Sequence, residues 1–326
     1  MQMRLRHPVT PCQSFFQNEN VRPETAMRDE KASSYTVFGL KAEAEGIAPG
    51  LHVVATPIGN LRDMSLRALS TLAAAHAVLA EDTRVSRTLL AHYGITTPLI
   101  PYHEHNAAEM RPKVLKRLHS GEALALISDA GTPLVSDPGY KLVEAVLEEG
   151  LKVTPVPGPS AILAALVAAG LPTDRFFFEG FLPPKSTARC ERLSVLAPIP
   201  STLVFFESPR RLAAMLADAT EILGDRPAAV ARELTKLFET VKRGTLSSLA
   251  TDYEAAPTPK GEIVVLIGPP SAETDVIRSD TGLDERLRHH LTHLSVKDAT
   301  AVTVEETGLP RRQVYTRAVA LARGDD

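Results

Sequence analysis

The pattern of apolar and polar residues becomes regular from Leu51 onward. Short apolar runs bounded by turn residues alternate with stretches of helical periodicity. They predict strands at residues 51–56, 77–81, 98–102, 123–128 and 152–156, and helices near 65–74, 85–93, 107–118, 140–149 and 161–169. Strands separated by helices indicate a mostly parallel sheet, because parallel neighbours need a crossover connection.

A second alternation follows the segment GLPT at residues 170–173, which breaks the pattern. It predicts strands at residues 176–182, 201–207, 228–233, 238–242 and 262–268, with a helix at 209–223. Residues 283–323 have the pattern of three short helices, with a sharp turn at 308–310. We therefore predict α/β domains at residues 50–173 and 174–270, a linker at 271–282 and an all-helical tail at 283–326.

The first 49 residues are polar and predict a flexible N-terminal extension over residues 1–49. They contain no apolar segment of the kind that opens a secretory signal. No apolar run in the chain approaches the roughly 18–20 residues that a membrane span needs. Only two cysteines are present, Cys12 and Cys190, which cannot form a disulfide framework. These features favour a cytoplasmic protein.

The net charge excludes a strongly basic chain. The 36 Lys and Arg residues against 39 Asp and Glu give a formal charge of −3, so a nucleic-acid partner would have to meet a local basic patch. The tail is one candidate, because a helix–turn–helix with a basic second helix is typical of nucleic-acid binding. A plain packing bundle is the alternative interpretation.

Three turns rich in Gly, Pro, Asp and Ser follow predicted strands of the first domain. They are TPIGN at residues 56–60, SDAGTP at 128–133 and PGPS at 157–160. Ligands of open α/β sheets bind beyond the carboxyl ends of the strands, so we expect the three turns to converge on one edge. None matches the dinucleotide or Walker A pattern. The residues alone leave open tight turns and, for Ser160, a helix cap.

Charged side chains cluster after other strands. Asp82 follows one strand, and its charge could simply favour the N-terminus of the next helix. The charges around Lys236 could form an ion-pair network. His103 and His105 lie two residues apart and would point to opposite sides of a strand. Since no third ligand is apparent, we predict no metal site.

Nine motifs occur in chain order: VATPIGNLRDMSLRAL, AEDTR, HEHN, SDAGTPLVSDPG, PGPSA, LPTDRFFFEGFLP, FFESPRRL, ARELTK and KGE. In this order and spacing they resemble the ribosomal RNA small-subunit methyltransferase I family of the tetrapyrrole methylase superfamily. The resemblance runs from about Leu51 to Gly268, and the residues after Leu283 resemble the family's helical C-terminal domain. It departs at Arg210, where the family more often has histidine, and it does not extend to residues 1–49.

The resemblance implies a two-domain tetrapyrrole-methylase-like α/β fold, a homodimer and S-adenosylmethionine held between the domains. It implies as methyl acceptor the ribose 2′-hydroxyl of a cytidine in the decoding centre of 16S ribosomal RNA, in the small ribosomal subunit. By position, the cofactor-binding residues of the first domain would be Pro57, Gly59, Asn60, Asp129, Ala130, Gly131, Thr132, Pro133, Ser160 and Ala161. Those of the second domain would be Phe206, Leu234 and Gly261.

Methylation of a ribose hydroxyl benefits from a base within hydrogen-bond reach, and the candidates are Asp82, Glu104 and Lys236. Phosphate contacts, which position RNA without reading bases, are predicted for Arg84, Arg232, Arg311, Arg312 and Arg317. Two other interpretations compete. One is a porphyrinoid methyltransferase of the same superfamily, and the other is a non-catalytic RNA-binding module that retains the fold.

Overall fold

The computed structural model describes residues 33–134, 139–270, 280–307, 309 and 311–323 of the 326-residue chain. The first 32 residues of the predicted extension lie outside these ranges, as does most of the predicted linker. Within the described ranges, none of the helices has the length and apolar character needed to cross a bilayer.

An antiparallel hairpin precedes the first predicted strand. Its strands are β1 (Ser34–Val37) and β2 (Leu40–Glu43). The side chains of Tyr35 and Val37 pack against the core of the first domain, and the Thr36 amide donates to the Tyr93 carbonyl oxygen 2.7 Å away. The prediction of a flexible extension over residues 1–49 is therefore corrected at the two strands of the hairpin, which pack on the first domain. The signal is present but short, because SYTV and LKAE each alternate polar and apolar residues over only four positions.

Five parallel strands form the sheet of the first domain and confirm the predicted sheet. They are β3 (Gly50–Val54), β4 (Ala77–Ala80), β5 (Leu99–Pro101), β6 (Ala123–Ile127) and β7 (Val153–Val156). Their order is β5-β4-β6-β3-β7, with every pair parallel. Strands β3, β4 and β6 are buried along their whole length, as expected of strands covered on both faces.

Helices cover this sheet. They are α1 (Leu66–Ala74), α2 (Thr83–His92), α3 (Ala107–His119), α4 (Tyr140–Glu148) and α5 (Ala161–Ala169). Ser65, Asp82 and Ser160 cap the N-termini of α1, α2 and α5 through their side-chain oxygens, which satisfies amides that the helix leaves without partners. Asp82 and Ser160 follow the ends of β4 and β7, so these two caps lie at the carboxyl edge of the sheet.

The second domain contains a mixed sheet in the order β11-β10-β12-β9-β8. Its strands are β8 (Phe176–Phe181), β9 (Thr202–Glu207), β10 (Pro227–Arg232), β11 (Thr240–Thr245) and β12 (Ile263–Ile267). Only the β8–β9 pair is parallel. The helices are α6 (Ser186–Leu196), α7 (Leu212–Leu223) and α8 (Leu246–Ala255). Of these three, the sequence pattern predicts only α7.

The tail forms three helices around their own small core. They are α9 (Asp280–Leu291), α10 (Val296–Thr307) and α11 (Arg311–Arg323), so the predicted helical tail is present and begins a little earlier than expected. Leu283, Leu287, Val314 and Ala318 are buried at its centre. In the predicted turn at 308–310, only Leu309 lies within the described residues.

Candidate functional site

A cavity of about 440 Å³ lies between the two α/β domains. This volume falls within the range of small-molecule sites. First-domain residues that line it are Ile58, Ala130, Gly131, Thr132, Ser160, Ala161 and Ile162. Second-domain residues that line it are Phe181, Phe206, Glu207, Ser208, Pro209, Ala231, Leu234, Gly261, Glu262, Ile263 and Val264.

The first-domain wall is built from the three predicted turns. The backbones of Thr56 and Gly131 exchange two hydrogen bonds, of 2.8 and 3.0 Å, and the Thr132 hydroxyl donates to the Pro159 carbonyl oxygen at 3.1 Å. Gly131 has φ +80°, a conformation that glycine adopts without the strain of a Cβ atom. The turns after β3, β6 and β7 therefore meet at the carboxyl edge of the sheet.

The second-domain floor of the cavity is a row of apolar side chains across the sheet. The strand register pairs Phe181 with Phe206, Phe206 with Val264, and Val264 with Ala231. Paired residues of neighbouring strands share one face, so these four side chains face the cavity together. This floor depends on β12 lying between β9 and β10, a pairing of segments that are far apart in the chain.

A strained loop after β10 touches both the cavity and the first domain. Glu233 and Thr235 have positive φ values of 52° and 64°, a conformation that residues other than glycine rarely adopt. The Thr235 hydroxyl accepts a hydrogen bond from the Asn60 amide at 3.1 Å. Lys236 donates to Glu233 at 2.7 Å and to Glu262 at 3.2 Å. The loop thus joins the Gly59–Asn60 turn to the second domain.

Of the thirteen predicted cofactor-binding residues, the structure places eight in the cavity wall: Ala130, Gly131, Thr132, Ser160, Ala161, Phe206, Leu234 and Gly261. The other five lie outside the wall: Pro57, Gly59, Asn60, Asp129 and Pro133. Gly59 instead packs against the second domain, where a Cβ atom would lie 2.9 Å from the Thr235 hydroxyl. Asp129 accepts the amide hydrogen of Asp82 at 3.0 Å.

None of the three candidate bases lies in the cavity wall. Hydrogen bonds from the Arg84 guanidinium lower the pKa of Asp82 to about 2, so this carboxylate is a weak base that also caps α2. Burial lowers the pKa of Lys236, but its hydrogen bonds to Glu233 and Glu262 outweigh burial and raise it. Lys236 is therefore a cation. Glu104 lies on an exposed turn after β5, and a catalytic role for the three residues stays a prediction.

The five arginines predicted to bind RNA have different surroundings. Arg84 is largely exposed and paired with Asp82 at 2.6 Å, whereas Arg232 donates to the carbonyl oxygens of Lys260 and Phe238. Arg317 makes two hydrogen bonds to the buried Asp284 carboxylate, of 2.6 and 2.5 Å. Arg317 therefore holds α11 to α9. Arg311 and Arg312 lie exposed at the start of α11.

Several wall residues escape the sequence analysis: Ile58, Ile162, Phe181, Glu207, Ser208, Pro209, Ala231, Glu262, Ile263 and Val264. Four of them, Glu207, Ala231, Ile263 and Val264, belong to β9, β10 and β12, where the signal is the register between strands rather than a local motif. Glu207 is nearly buried, and strand alternation directs its side chain to the face opposite Phe206. Its carboxylate lies 3.2 Å from Arg211 and accepts the Ser208 amide at 2.7 Å.

Within the described ranges, no three His, Cys, Asp or Glu side chains are grouped so that they could hold a metal ion. Cys190 is a half-buried free thiol in the second domain. Burial raises the pKa of this thiol, which disfavours the nucleophilic thiolate.

Comparison with known proteins shows which families share this sequence and fold. The family model for Tetrapyrrole (Corrin/Porphyrin) Methylases matches residues 50–250, and the model for the RsmI C-terminal HTH domain matches residues 278–322. Among solved structures, a cobalt precorrin-4 methyltransferase has a TM-score of 0.51 at 20% identity and covers 67% of this chain and 94% of its own. A diphthine synthase has a TM-score of 0.53 at 16% identity, covering 67% and 89%. These two structures are alike in fold.

The chain therefore belongs to the tetrapyrrole methylases, and the predicted fold class is confirmed. The ribosomal RNA small subunit methyltransferase I of Mesorhizobium japonicum is 52% identical over 279 residues, which cover 85% of this chain and 94% of that protein. The protein of the same name from Pseudomonas aeruginosa is 46% identical over 275 residues, covering 82% and 96%. Within its class, the chain belongs to the ribosomal RNA small subunit methyltransferase I family, as the motifs predicted.

Proposed function

We propose that this protein transfers the methyl group of S-adenosylmethionine to the 2′-hydroxyl of a cytidine in 16S ribosomal RNA. The observation that carries the proposal is the cavity between the two domains, walled by the turns after β3, β6 and β7. The relatives are named as small subunit ribosomal RNA methyltransferases. A methyltransferase of this kind needs a donor site that an RNA segment can approach from outside.

The cavity suits S-adenosylmethionine in size and chemistry. Gly131 and Gly261 line it with positive φ, a backbone conformation that glycine adopts without strain. Phe206 and Val264 offer apolar surface to the adenosyl group, and the hydroxyls of Thr132 and Ser160 offer polar contacts. We assign the eight wall residues of the predicted set to the donor. Pro57, Gly59, Asn60, Asp129 and Pro133 would support them from behind.

The donor supplies an electrophilic methyl carbon on a sulfonium. The acceptor oxygen must approach this carbon in line with the departing sulfur, so the protein contributes mainly by positioning the two groups. The hydrogen bond between the Asn60 amide and the Thr235 hydroxyl fixes the two cavity walls relative to each other. The hydroxyl proton needs an acceptor, and of the three predicted candidates Glu104 fits best, because Asp82 and Lys236 are held in ion pairs.

The RNA partner meets the protein at two surfaces in this proposal. Arg84 and Arg232 would contact phosphates near the cavity, and Arg311 and Arg312 would extend the contact along α11. Arg317 would act through Asp284 by holding the helix that carries them. Nucleotide choice would come from a splayed-out cytidine and from local RNA shape.

We also propose a homodimer that works in the cytoplasm. Leu163 and Val167 lie one helical turn apart on α5 and are 55% and 86% exposed, which forms an apolar strip open to a second copy. Sedimentation of the wild type as a dimer, and of Val167→Asp as a monomer, would support this interface. A monomeric wild type would contradict it.

The experiment for the methyl transfer uses small ribosomal subunits from a strain that lacks the enzyme. Incubation with the protein and labelled S-adenosylmethionine should place label in the RNA, and mass spectrometry should locate a 2′-O-methylcytidine. Label that appears only in an added porphyrinoid would support the alternative methyltransferase. Donor binding that is absent altogether would support a non-catalytic RNA-binding module.

A further inference from the structure

Phe181 stands at the open end of the cavity. It is the last residue of β8, which forms the outer edge of the second-domain sheet. The residue is 58% exposed although it lines the cavity, whereas Phe206 beside it is half-buried. The Phe181 ring therefore lies where the cavity opens to solvent, and much of the ring surface is exposed.

A β-bulge turns this ring toward the cavity. In a regular strand, Phe178 and Phe181 would point to opposite faces, because they are three residues apart. The register pairs Phe178 with Val204 and Phe181 with Phe206, two residues apart on β9, so one extra residue is accommodated between Phe178 and Gly180. Bulges of this kind redirect side chains next to functional sites.

The bulge is held in place by charged contacts. The extra residue, Glu179, accepts two hydrogen bonds from the Arg192 guanidinium, of 2.6 and 2.7 Å. Phe206 makes tilted and edge contacts with both rings, with centroids 5.7 Å from Phe181 and 4.9 Å from Phe178. The orientation of Phe181 is therefore built into the fold rather than left to an unconstrained surface side chain.

Positive charge accompanies the ring. Arg211 donates to the Leu182 carbonyl oxygen at 2.6 Å and so ties the segment after β9 to the residue that follows Phe181. The same segment exposes Arg210, next to the wall residue Pro209. Within the described ranges, no ion pair or hydrogen bond engages the Arg210 guanidinium. An exposed aromatic ring and a free cation on segments joined by a hydrogen bond match a nucleotide, which has a flat base and an anionic phosphate.

We propose that Phe181 stacks on the base of the acceptor nucleotide and that Arg210 contacts an adjacent phosphate of the RNA. The inference rests on the proposed function. In-line transfer requires the acceptor beside the donor's methyl group, and Phe181 lines the cavity while more than half of the residue stays exposed to an incoming nucleotide. Stacking accepts any base, so these residues would hold the splayed nucleotide without choosing its sequence.

The ring is tested with Phe181→Ala, Phe181→Leu and Phe181→Tyr, using small ribosomal subunits as substrate. We expect Phe181→Ala and Phe181→Leu to raise KM for the subunits by about five- to 150-fold, the range expected for one lost stacking contact. Phe181→Tyr should restore a KM near that of the wild type. The Kd for S-adenosylmethionine, measured by calorimetry, should not change in any of them.

The cation is tested with Arg210→Ala, which should raise KM for the subunits and reduce by about 1 the slope of log KM against log salt concentration. Leu147→Ala and Lys116→Ala are matched controls. Both residues are exposed near the ends of α4 and α3 that lead into the opposite edge of the sheet. Neither control should alter KM.

An unchanged KM in Phe181→Ala would overturn the inference while the wild type still methylates the subunits. A weakened Kd for S-adenosylmethionine in Phe181→Ala would also overturn it, because the ring would then belong to the donor site. A wild type that leaves the subunits unmethylated would instead contradict the proposed function, which separates the two failures.

Discussion

Single residues at the cavity are constrained by contacts between loops that are distant in sequence. Gly261 has φ +97°, and a Cβ atom there would meet the Glu233 carboxyl group. Glu233 is itself held in a positive-φ conformation, and its ion pair with Lys236 lowers the pKa of its carboxyl. The need for a small residue at position 261 therefore comes from two causes, backbone conformation and crowding.

Substitution Gly261→Ala should destabilise the protein by about 1–3 kcal/mol, the range for overpacking in a constrained site, and should weaken S-adenosylmethionine binding. The matched control is Gly121→Ala, because Gly121 also has positive φ (+83°) but nothing lies near its Cβ position. The control should lose only the stability that a Cβ atom costs at positive φ, about 1–2 kcal/mol, and its affinity for the donor should equal that of the wild type. Urea unfolding would measure the stability of each variant, and calorimetric titration would measure its affinity for the donor. Equal donor affinities of Gly261→Ala and the wild type would contradict the role assigned to Gly261.

At the scale of elements, sequence pattern predicts the first domain better than the second. Strand β6 is an apolar run followed by dense turn chemistry, and both signals are local. Helix α6 has the sequence STARCERLSVL, in which apolar residues are too few to mark a face. The hairpin of β1 and β2 is short and half-exposed. These elements are stabilised by tertiary packing, which local periodicity does not report.

The hairpin should contribute to the stability of the first domain. Tyr35→Ala should lower the free energy of unfolding by about 1–3 kcal/mol, less than the 3–5 kcal/mol for a fully buried ring, because Tyr35 is only partly buried in the core. Phe38→Ala is the control, since Phe38 is 85% exposed at the hairpin tip. If both variants unfold at the same denaturant concentration as the wild type, the hairpin does not stabilise the domain.

The helical tail should depend on pH through Asp284. Its hydrogen bonds with Arg317 lower the pKa of this carboxyl in the folded state. The resulting stability is present above the unfolded-state pKa of about 3.9 and is lost as the pH falls through the folded-state value. Calorimetric unfolding of Asp284→Asn should show a less stable tail at neutral pH and a smaller loss on acidification. The exposed Glu305→Gln control should behave like the wild type, and a wild-type pH profile in Asp284→Asn would refute this role.

At the scale of the whole molecule, the site exists only because two domains meet. The first wall could be predicted, since turns that follow parallel strands share one edge. Most of the second wall could not, because Ala231 and Val264 reach the cavity through the antiparallel placement of β12 between β9 and β10. Glu207 is buried while its neighbour Phe206 faces the cavity, because successive side chains of a strand point to opposite faces of the sheet. The resemblance supplied Phe206, Leu234 and Gly261, which no local pattern in the second domain indicates.

The space between the two domains is the site that we propose for the methyl donor. Calorimetric titration with S-adenosylmethionine tests this site in the wild type and two variants. Ala161→Leu enlarges a wall residue at the start of α5, and the control Ala217→Leu adds the same side chain on the exposed face of α7. We predict that each wild-type chain binds one donor. Ala161→Leu should weaken the affinity at least about tenfold, a change of about 1.4 kcal/mol, whereas Ala217→Leu should leave it unchanged. Equal affinity in Ala161→Leu and the wild type, or no binding by the wild type, would show that this cavity is not the donor site.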